Sequence, residues 1–243
     1  MCRLSLILLL VPLCAQAQEA EPQVPLDEPP AYKLTIGAYR YPEAGNALDL
    51  NLRNTSKVGN TWIGFFRFPA EDVAQWRTGW DKQFGEHVQV KPSVQAASGG
   101  FLGGSIQAQV GDPWFAAVGI GRTNLRPYYN LNFDPNDAYT VQAGYQDENA
   151  GHYASILLVH DNREHPDQRH LHFTWREGTP DRHRFSVDLL YKVGTVEEEQ
   201  RLIHRWGLSA SYDWPRFFVL LAYDPKSNFT PLDLWRLSFG TRF

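Results

Sequence analysis

Imidazole and carboxylate side chains are concentrated around one turn in the second half of this 243-residue chain. They are His160, Asp161, Glu164, His165, His170 and His172. Such groups bind zinc or nickel, and a histidine among them can act as a general base in hydrolysis. The catalytic hypothesis uses His160, His170 and His172, with Ser155 on the preceding strand as nucleophile. No known zinc spacing is present, so we assign no metal and no cofactor. The alternative to the catalytic hypothesis, a solvated turn without catalytic function, stays open.

A second group of candidates is basic. On the polar face of the strands predicted below, Lys and Arg outnumber Asp. Those expected to line a path for a solute are Arg53, Arg77, Lys91, Arg176, Arg184, Lys192, Arg205 and Arg236, and the same face carries Lys33, Arg67, Arg182, Arg242, Asp49, Asp81, Asp188 and Asp213. A basic lumen behind a low-dielectric wall concentrates anions. Arg–Asp pairs across the lumen would instead close it, and both interpretations stay open.

The longest predicted connection, residues 122–137, is rich in Tyr, Asn and Arg. Tyrosine and arginine bind sugars and polar head groups by stacking and bidentate hydrogen bonds. Folded inward, the connection would be a constriction formed by Arg122, Arg126, Tyr128, Tyr129 and Asp134. Folded outward, it would be a receptor surface, and an ordered cap held by Asn and Asp turns is equally open. A calcium site at Asp134, Asn136 and Asp137 would lack the EF-hand pattern.

These candidates need a scaffold of strands. From Tyr32 onward, segments of about ten residues alternate between apolar and polar positions, which is the pattern of half-buried strands. Leu48, Leu50 and Leu52, for example, alternate with Asp49, Asn51 and Arg53. We predict an all-β fold, a single antiparallel barrel of residues 31–243. It has fourteen strands, or twelve if the segment from Phe68 to Trp80 is not a hairpin.

The N-terminal segment predicts export. Residues 1–17 combine Arg3, an apolar run and the small-residue site Ala15-Gln16-Ala17, as in a cleavable signal peptide. Residues 18–30 are rich in Pro and Glu and predict a disordered periplasmic tail. Acidic residues in this tail and in the loops give the chain its net charge of −4. The sequence has no run of 18 consecutive apolar residues, so a membrane role requires strands.

The final strand alternates as well. Asp233, Trp235, Leu237, Phe239, Thr241 and Phe243 face one side, against Leu234, Arg236, Ser238, Gly240 and Arg242. A chain ending on this strand resembles the outer-membrane β-barrels of Gram-negative bacteria, whose C-terminal strand is a sorting signal. The resemblance implies location in the outer membrane, contact with its lipid and lipopolysaccharide, and recognition by the barrel-assembly machinery through the strand that ends at Phe243. Dispersed basic residues argue against nucleic-acid binding.

The predicted function is a narrow channel with a basic lumen for small anionic or polar solutes. In this respect the chain resembles small porins selective for anions and oligosaccharides. Two alternatives stay open. One is an outer-membrane hydrolase or lipid-modifying enzyme that uses the histidine cluster, and the other is a closed barrel with a structural or surface-interaction role.

Overall fold

The computed structural model describes residues 31–129, 137–147, 151–196 and 198–243, in which fourteen antiparallel strands close into one barrel. The prediction of fourteen strands, rather than twelve, is confirmed. The strands are β1 (Tyr32–Tyr41), β2 (Gly45–Ser56), β3 (Gly59–Phe68), β4 (Val73–Asp81), β5 (Val88–Ala97), β6 (Phe101–Val110), β7 (Trp114–Thr123), β8 (Ala138–Asp147), β9 (His152–Asp161), β10 (Arg169–Gly178), β11 (Arg184–Val196), β12 (Arg201–Asp213), β13 (Phe217–Asp224) and β14 (Leu234–Arg242). The predicted signal peptide and tail lie outside the described residues.

The barrel closes where the first and last strands meet. β1 pairs with β14 in antiparallel register, which brings Ile36 opposite Phe239. Beyond the last pair, the Tyr32 amide donates to the Phe243 carbonyl oxygen at 2.8 Å and the Phe243 amide donates back at 3.0 Å. The two rings stack with their centroids 5.7 Å apart. Closure pairs the backbone groups that an open sheet edge would leave unsatisfied.

Side chains alternate between the two sides of the wall. Large apolar side chains on the outer side are exposed, as in Leu102 (60 %), Val118 (58 %) and Leu237 (54 %). Polar side chains on the inner side are buried, as in Asp49 (4 %) and Asp213 (6 %). Soluble monomers rarely expose so much contiguous apolar surface. Apolar residues outside and polar residues inside are the arrangement of barrels that cross a membrane with strands.

The hairpin of β3 and β4 contains the segment that the sequence left ambiguous. A short 3-10 turn, Pro69–Glu71, joins the two strands, and the left-handed backbone of Asp72 (φ 51°) ends it. A second 3-10 turn, Ser227–Phe229, precedes β14. In the part of the chain that the structure describes, no helix has the length and apolar character needed to span a membrane.

The register of β3 corrects one prediction. Arg67 was expected on the inner side, but it lies on the outer side with Ile63, which is 50 % exposed. The adjacent Phe66 points inward instead and is 1 % exposed. Strand residues of odd and even number face opposite sides, so the burial of Phe66 fixes Arg67 outside. Its guanidinium lies 3.5 Å from Asp72 in the following turn.

The two ends of the barrel differ. At one end the connections include the long segments 124–137, 162–168 and 225–233, and we call this the loop end. The opposite end, which we call the turn end, holds the shorter connections such as 57–58 and 111–113 together with the start of β1 and the end of β14. Short turns on one side and longer loops on the other are typical of transmembrane barrels.

Candidate functional site

At the loop end, residues 127–129 fold into the lumen and are held there by β4. Gln75 donates from Nε2 to the Pro127 carbonyl oxygen at 3.0 Å and accepts the Tyr129 amide at Oε1 at 2.8 Å. Arg77 donates from Nη1 to the Tyr129 carbonyl oxygen at 2.6 Å. Both side chains belong to residues that are 4 % exposed. We call Gln75 and Arg77 the β4 clamp.

Aromatic packing holds the same segment. The Tyr128 ring stacks on Phe101 at 4.2 Å, and the Tyr129 ring stacks on Phe66 at 6.0 Å. Phe66 and Phe101 are inner residues of β3 and β6, so the segment spans from one strand to the other across the inside of the wall. The segment therefore narrows the lumen on this side.

The charge of the clamp is neutralised locally. Arg77 pairs through Nη2 with Asp49, and both side chains are buried. The Tyr39 hydroxyl donates to the same carboxylate at 3.5 Å. A buried arginine with an adjacent carboxylate adds little net field, so the β4 clamp acts on the loop by hydrogen bonding rather than on solutes by charge.

A second loop enters the lumen from the opposite side. Phe229 is 5 % exposed and forms a small core with Val196 and Ile203. Its ring stacks on His170 with centroids 5.2 Å apart. Lys192, which is fully buried, donates to the Lys226 carbonyl oxygen at 3.1 Å and forms an ion pair with Asp224. Residues 225–229 are thus anchored to β10, β11 and β12.

Beside this second loop lies a cavity of about 240 Å³, lined by His170, His172, Asp188, Ser209 and Arg236 among others. His172 Nδ1 is 2.9 Å from Asp188 Oδ1, and Thr174 donates to the other carboxylate oxygen at 2.7 Å. The carboxylate therefore fixes the orientation of the His172 ring.

Two members of the predicted catalytic group lie elsewhere. His160 faces the outer side of β9, with Nε2 3.0 Å from the Pro166 carbonyl oxygen, so it does not join His170 and His172. Ser155 faces inward but accepts a hydrogen bond from Gln142 on β8 at 3.1 Å, whereas His172 turns toward β11. Among the residues that the structure describes, no three His, Cys, Asp or Glu side chains form a metal site.

The predicted constriction residues do not all lie in the lumen. Tyr128 and Tyr129 lie in the lumen, as described above, and Arg126 is exposed. Arg122 requires a correction, because its guanidinium lies on the outer side over the Tyr139 ring at 5.6 Å. It also donates to Asn162 at 2.8 Å. Asp134 lies outside the described residues, as does Asn136 of the calcium hypothesis.

Hydrogen bonds and one ion pair join the loops to each other and to the strand ends at the loop end. Arg163 Nη1 donates to Asp137 Oδ1 at 3.0 Å, and Thr123 donates its hydroxyl hydrogen to the other oxygen. Burial raises the pKa of Asp137, but the hydrogen bonds from Thr123 and Arg163 outweigh it and hold this pKa below the usual value. The Thr195 amide donates to Asp167 at 2.7 Å, which lowers the pKa of that carboxyl as well.

At the turn end, six cations face two carboxylates on the inner side. We call this set the turn-end ring: Lys33, Arg53, Lys91, Arg176, Arg184, Arg242, Asp81 and Asp213. Asp81 accepts from Arg53 at 2.6 Å and lies 3.9 Å from Lys91 Nζ. Asp213 accepts from Arg184 at 3.3 Å and also pairs with Arg242. Each carboxylate is thus shared between two cations.

The two other cations of the ring lie over aromatic rings. Lys33 Nζ is 4.2 Å from the centre of the Phe218 ring, and the Arg176 guanidinium carbon is 5.0 Å from the centre of Tyr153. Cation–π contacts leave the charge in place. Because an aromatic face cannot neutralise a cation, Lys33 and Arg176 carry much of the excess positive charge of the ring.

Beside Asp81 and Lys91 of the ring, on the β5 to β9 side, lies a cavity of about 180 Å³ with polar and apolar lining. Its lining includes Lys91, Ser93, Ser105, Gln107 and Thr140. The hydroxyl oxygens of Ser93 and Ser105 are 2.7 Å apart. Such side chains can both donate and accept hydrogen bonds, and so can hold a hydrated or hydroxylated solute.

Other predicted lumen residues are scattered. Arg205 lies on the inner side of β12 and donates to the His204 carbonyl oxygen at 3.1 Å. Arg182 requires a correction, because it lies in the turn between β10 and β11 rather than on a strand. The clamp role of Gln75 was missed, because a glutamine on a polar strand face gives no signal of a partner more than fifty residues away.

No family model matches the chain, and no curated protein matches it in sequence. Among solved structures, the Acinetobacter baumannii outer membrane protein Omp33 is similar with a TM-score of 0.60 at 12 % identity, over 88 % of this chain and 98 % of that one. KdgM porin and NanC porin align at 8 % and 9 % identity with a TM-score of 0.44 for each, over 87 % and 88 % of this chain and 99 % of each of theirs. The chain therefore has the fold of an outer-membrane β-barrel.

Proposed function

We propose that this protein is an outer-membrane channel that passes small anionic or polar solutes. The observation that carries the proposal is the turn-end ring, in which six cations lie with only two carboxylates, and four of the cations share them. Its charge is accessible, since the side chains of Arg53, Lys91 and Arg184 are 41 %, 45 % and 41 % exposed. A low-dielectric wall focuses the field of such a ring into the lumen and raises the local concentration of anions.

The apolar outer side supports placement in a membrane, with the turn end toward the periplasm and the loop end toward the outside. The signal peptide would direct export and be cleaved after Ala17 as the chain is exported, leaving Gln18 as the first residue. We also propose that the assembly machinery binds the strand ending at Phe243. Amino-terminal sequencing of the protein from isolated outer membranes tests both the cleavage site and the location.

The channel would select solutes by size and by charge at different heights along the barrel axis. The segment held by the β4 clamp narrows the loop end, and the pairing of Arg77 with Asp49 makes that narrowing nearly neutral. The turn-end ring carries the charge. Solutes would therefore be limited in size near the loop end and selected by charge near the turn end.

Planar-bilayer recordings with the purified protein test the proposal. We expect single-channel currents and, in a salt gradient, a reversal potential of the sign given by anion preference. A polyanion that is too large to pass, added on the turn-end side, should bind the ring and reduce the current. Absence of current under any condition would overturn the channel and favour the closed barrel, whereas a current with cation preference would overturn the selection of anions by a basic lumen.

A hydrolase is the second candidate because of one observation. The His172 ring is oriented by Asp188 beside a cavity of about 240 Å³, as a general base would be. The test is hydrolysis of short-chain esters and phospholipids by the purified protein and by His172→Ala. Equal rates, or no hydrolysis by either protein, would remove the enzyme from consideration.

A further inference from the structure

An outward-facing groove of about 750 Å³ lies near the loop end, across strands β13 to β3. The strand register explains the depression. Ala38 lies on the outer side between Leu237 of β14 and Leu48 of β2 at the same height. At neighbouring outward positions of the wall a larger side chain fills the equivalent space, which the methyl group of Ala38 leaves open. The groove is therefore apolar, with the small residue at its centre.

Two arginines border this groove, Arg40 on its loop-end side and Arg67 on its β3 side, level with Leu48 and Ala38. Arg40 follows Ala38 on the outer face of β1 and lies opposite Trp235 and Asn46. Its Nη1 donates to the Asn46 side-chain oxygen at 3.2 Å, which directs the guanidinium along the wall. Arg67 lies opposite Leu48. Because β1 and β3 are two strand spacings apart, the two arginines are separated by about 10 Å across the wall.

We propose that this groove binds the phosphorylated, multiply acylated glycolipid of the outer leaflet, the lipid A part of lipopolysaccharide. The inference rests on the proposed placement of the barrel, with the loop end outside. Acyl chains would lie over Ala38 between Leu48 and Leu237. Two separated phosphates would accept charge-assisted hydrogen bonds from Arg40 and Arg67, each of which has five donors in a planar fork.

Acidic side chains also lie nearby and shape the site. Glu43, Glu71 and Asp72 occupy the two turns beyond the arginines, farther from the apolar wall. The contact of Arg67 with Asp72 spans 3.5 Å, and the Asp72 side chain is 96 % exposed. An exposed pair of this kind contributes little, so a phosphate competes with it. The carboxylates can share Mg²⁺ with phosphates, as carboxylates and phosphates do in other Mg²⁺ sites.

The test is native mass spectrometry of the protein extracted from outer membranes in mild detergent, with the retained lipid identified and counted. The variants are Arg40→Gln with Arg67→Gln, which removes both cations, and Ala38→Phe, which fills the groove. Matched controls are Arg122→Gln, an outward arginine near the same end on β7, and Ala143→Phe, an outward alanine on β8. Heat-modifiable electrophoretic mobility reports whether each barrel is folded.

We expect the wild-type protein and both controls to retain lipopolysaccharide, and the two groove variants to retain about fivefold less. Equal retention by all folded variants would overturn the proposal, as would retention of a glycerophospholipid in place of lipopolysaccharide. Because Arg40, Arg67 and Ala38 lie outside the lumen, anion selectivity should be unchanged in the groove variants. The two proposals can therefore fail separately. The groove variants can lose lipopolysaccharide while their anion selectivity stays normal, and the wild-type protein can retain lipopolysaccharide while it carries no current. Absence of the protein from outer membranes overturns both.

Discussion

Gln75 and Tyr129, far apart in the chain, are joined inside the barrel by a hydrogen bond of 2.8 Å from the Tyr129 amide to the glutamine side chain. The same glutamine donates to Pro127 at 3.0 Å. One side chain thus satisfies two backbone groups of a segment that lies against one side of the lumen. Replacing Gln75 therefore changes how this segment is held without changing the hydrogen bonds between the strands of the barrel wall.

Gln75→Leu should enlarge the pore. Leucine fills similar space but cannot bond to the backbone, so the segment loses two hydrogen bonds, at about 1 kcal/mol each. We expect the single-channel conductance to rise about twofold and larger neutral sugars to enter, as measured by liposome swelling. Gln95→Leu is the control, because Gln95 is also buried on an inner face but on β5. Equal conductance in both variants would show that residues 127–129 do not limit flow.

Lys33→Gln with Arg176→Gln should weaken anion preference. Both cations lie over aromatic rings, so their loss removes positive charge while the ion pairs of Asp81 and Asp213 with the other four cations stay in place. We expect the anion-to-cation permeability ratio to fall at least about twofold in reversal-potential measurements. Arg176→Lys in the Lys33 wild-type background should keep most of the preference. An unchanged ratio in the double variant would place selectivity elsewhere in the lumen.

The pH dependence of the loop contacts follows from Asp137. Its pKa is lowered in the folded protein, so the contribution of its contacts with Arg163 and Thr123 is present above the unfolded value of about 3.9 and is lost as pH falls through the lower folded value. Limited proteolysis at the loop end should therefore be slow and constant from neutral pH down to about pH 5. Asp137→Asn should be cut faster throughout this range. Faster cleavage of the wild type already near pH 6 would contradict this assignment.

The ion pair between the buried Lys192 and the partly exposed Asp224 should anchor the second loop. Lys192→Met leaves Asp224 without its cation and should lower the free energy of unfolding by about 2 kcal/mol, measured by urea titration of the refolded barrel. Adding Asp224→Asn should restore part of that loss, since the uncompensated charge is gone. If the double variant were no more stable than the single one, the pair would not be the source of the effect.

The wall of the barrel could be predicted from the sequence because each strand separates an apolar surface from a polar interior. Leu48 and Leu50 face outward and Asp49 inward, as their alternation predicts. Arg182 was misplaced because it lies in a turn at the turn end, and the two other errors, at Arg67 and Arg122, fall one residue from the loop-end terminus of a strand. There the outer side meets polar surroundings, so a cation is tolerated on either side and hydropathy no longer reports the facing.

The interior could not be predicted to the same degree. The contact of Phe229 with His170 and that of Tyr129 with Phe66 join residues distant in sequence, and no local pattern encodes them. His160 lies apart from His170 and His172 because it is on the outer side of β9 and contacts the Pro166 carbonyl oxygen. Strand periodicity specifies which side a residue faces, whereas loop insertion depends on the assembled lumen.

Phe243→Ser should reduce the amount of assembled barrel in the outer membrane. Phe243 is 61 % exposed, its backbone pairs with Tyr32 at the closing seam, and its ring stacks on Tyr32. The backbone bonds persist in the serine variant, so the folded barrel should lose little stability, whereas the proposed binding of this strand by the assembly machinery should be weakened. Quantifying heat-modifiable protein in membrane fractions tests this, with Tyr32→Ser as the control that removes the same stacking contact. Equal losses in the two variants would assign the effect to the seam rather than to recognition, because both substitutions disrupt the same ring pair.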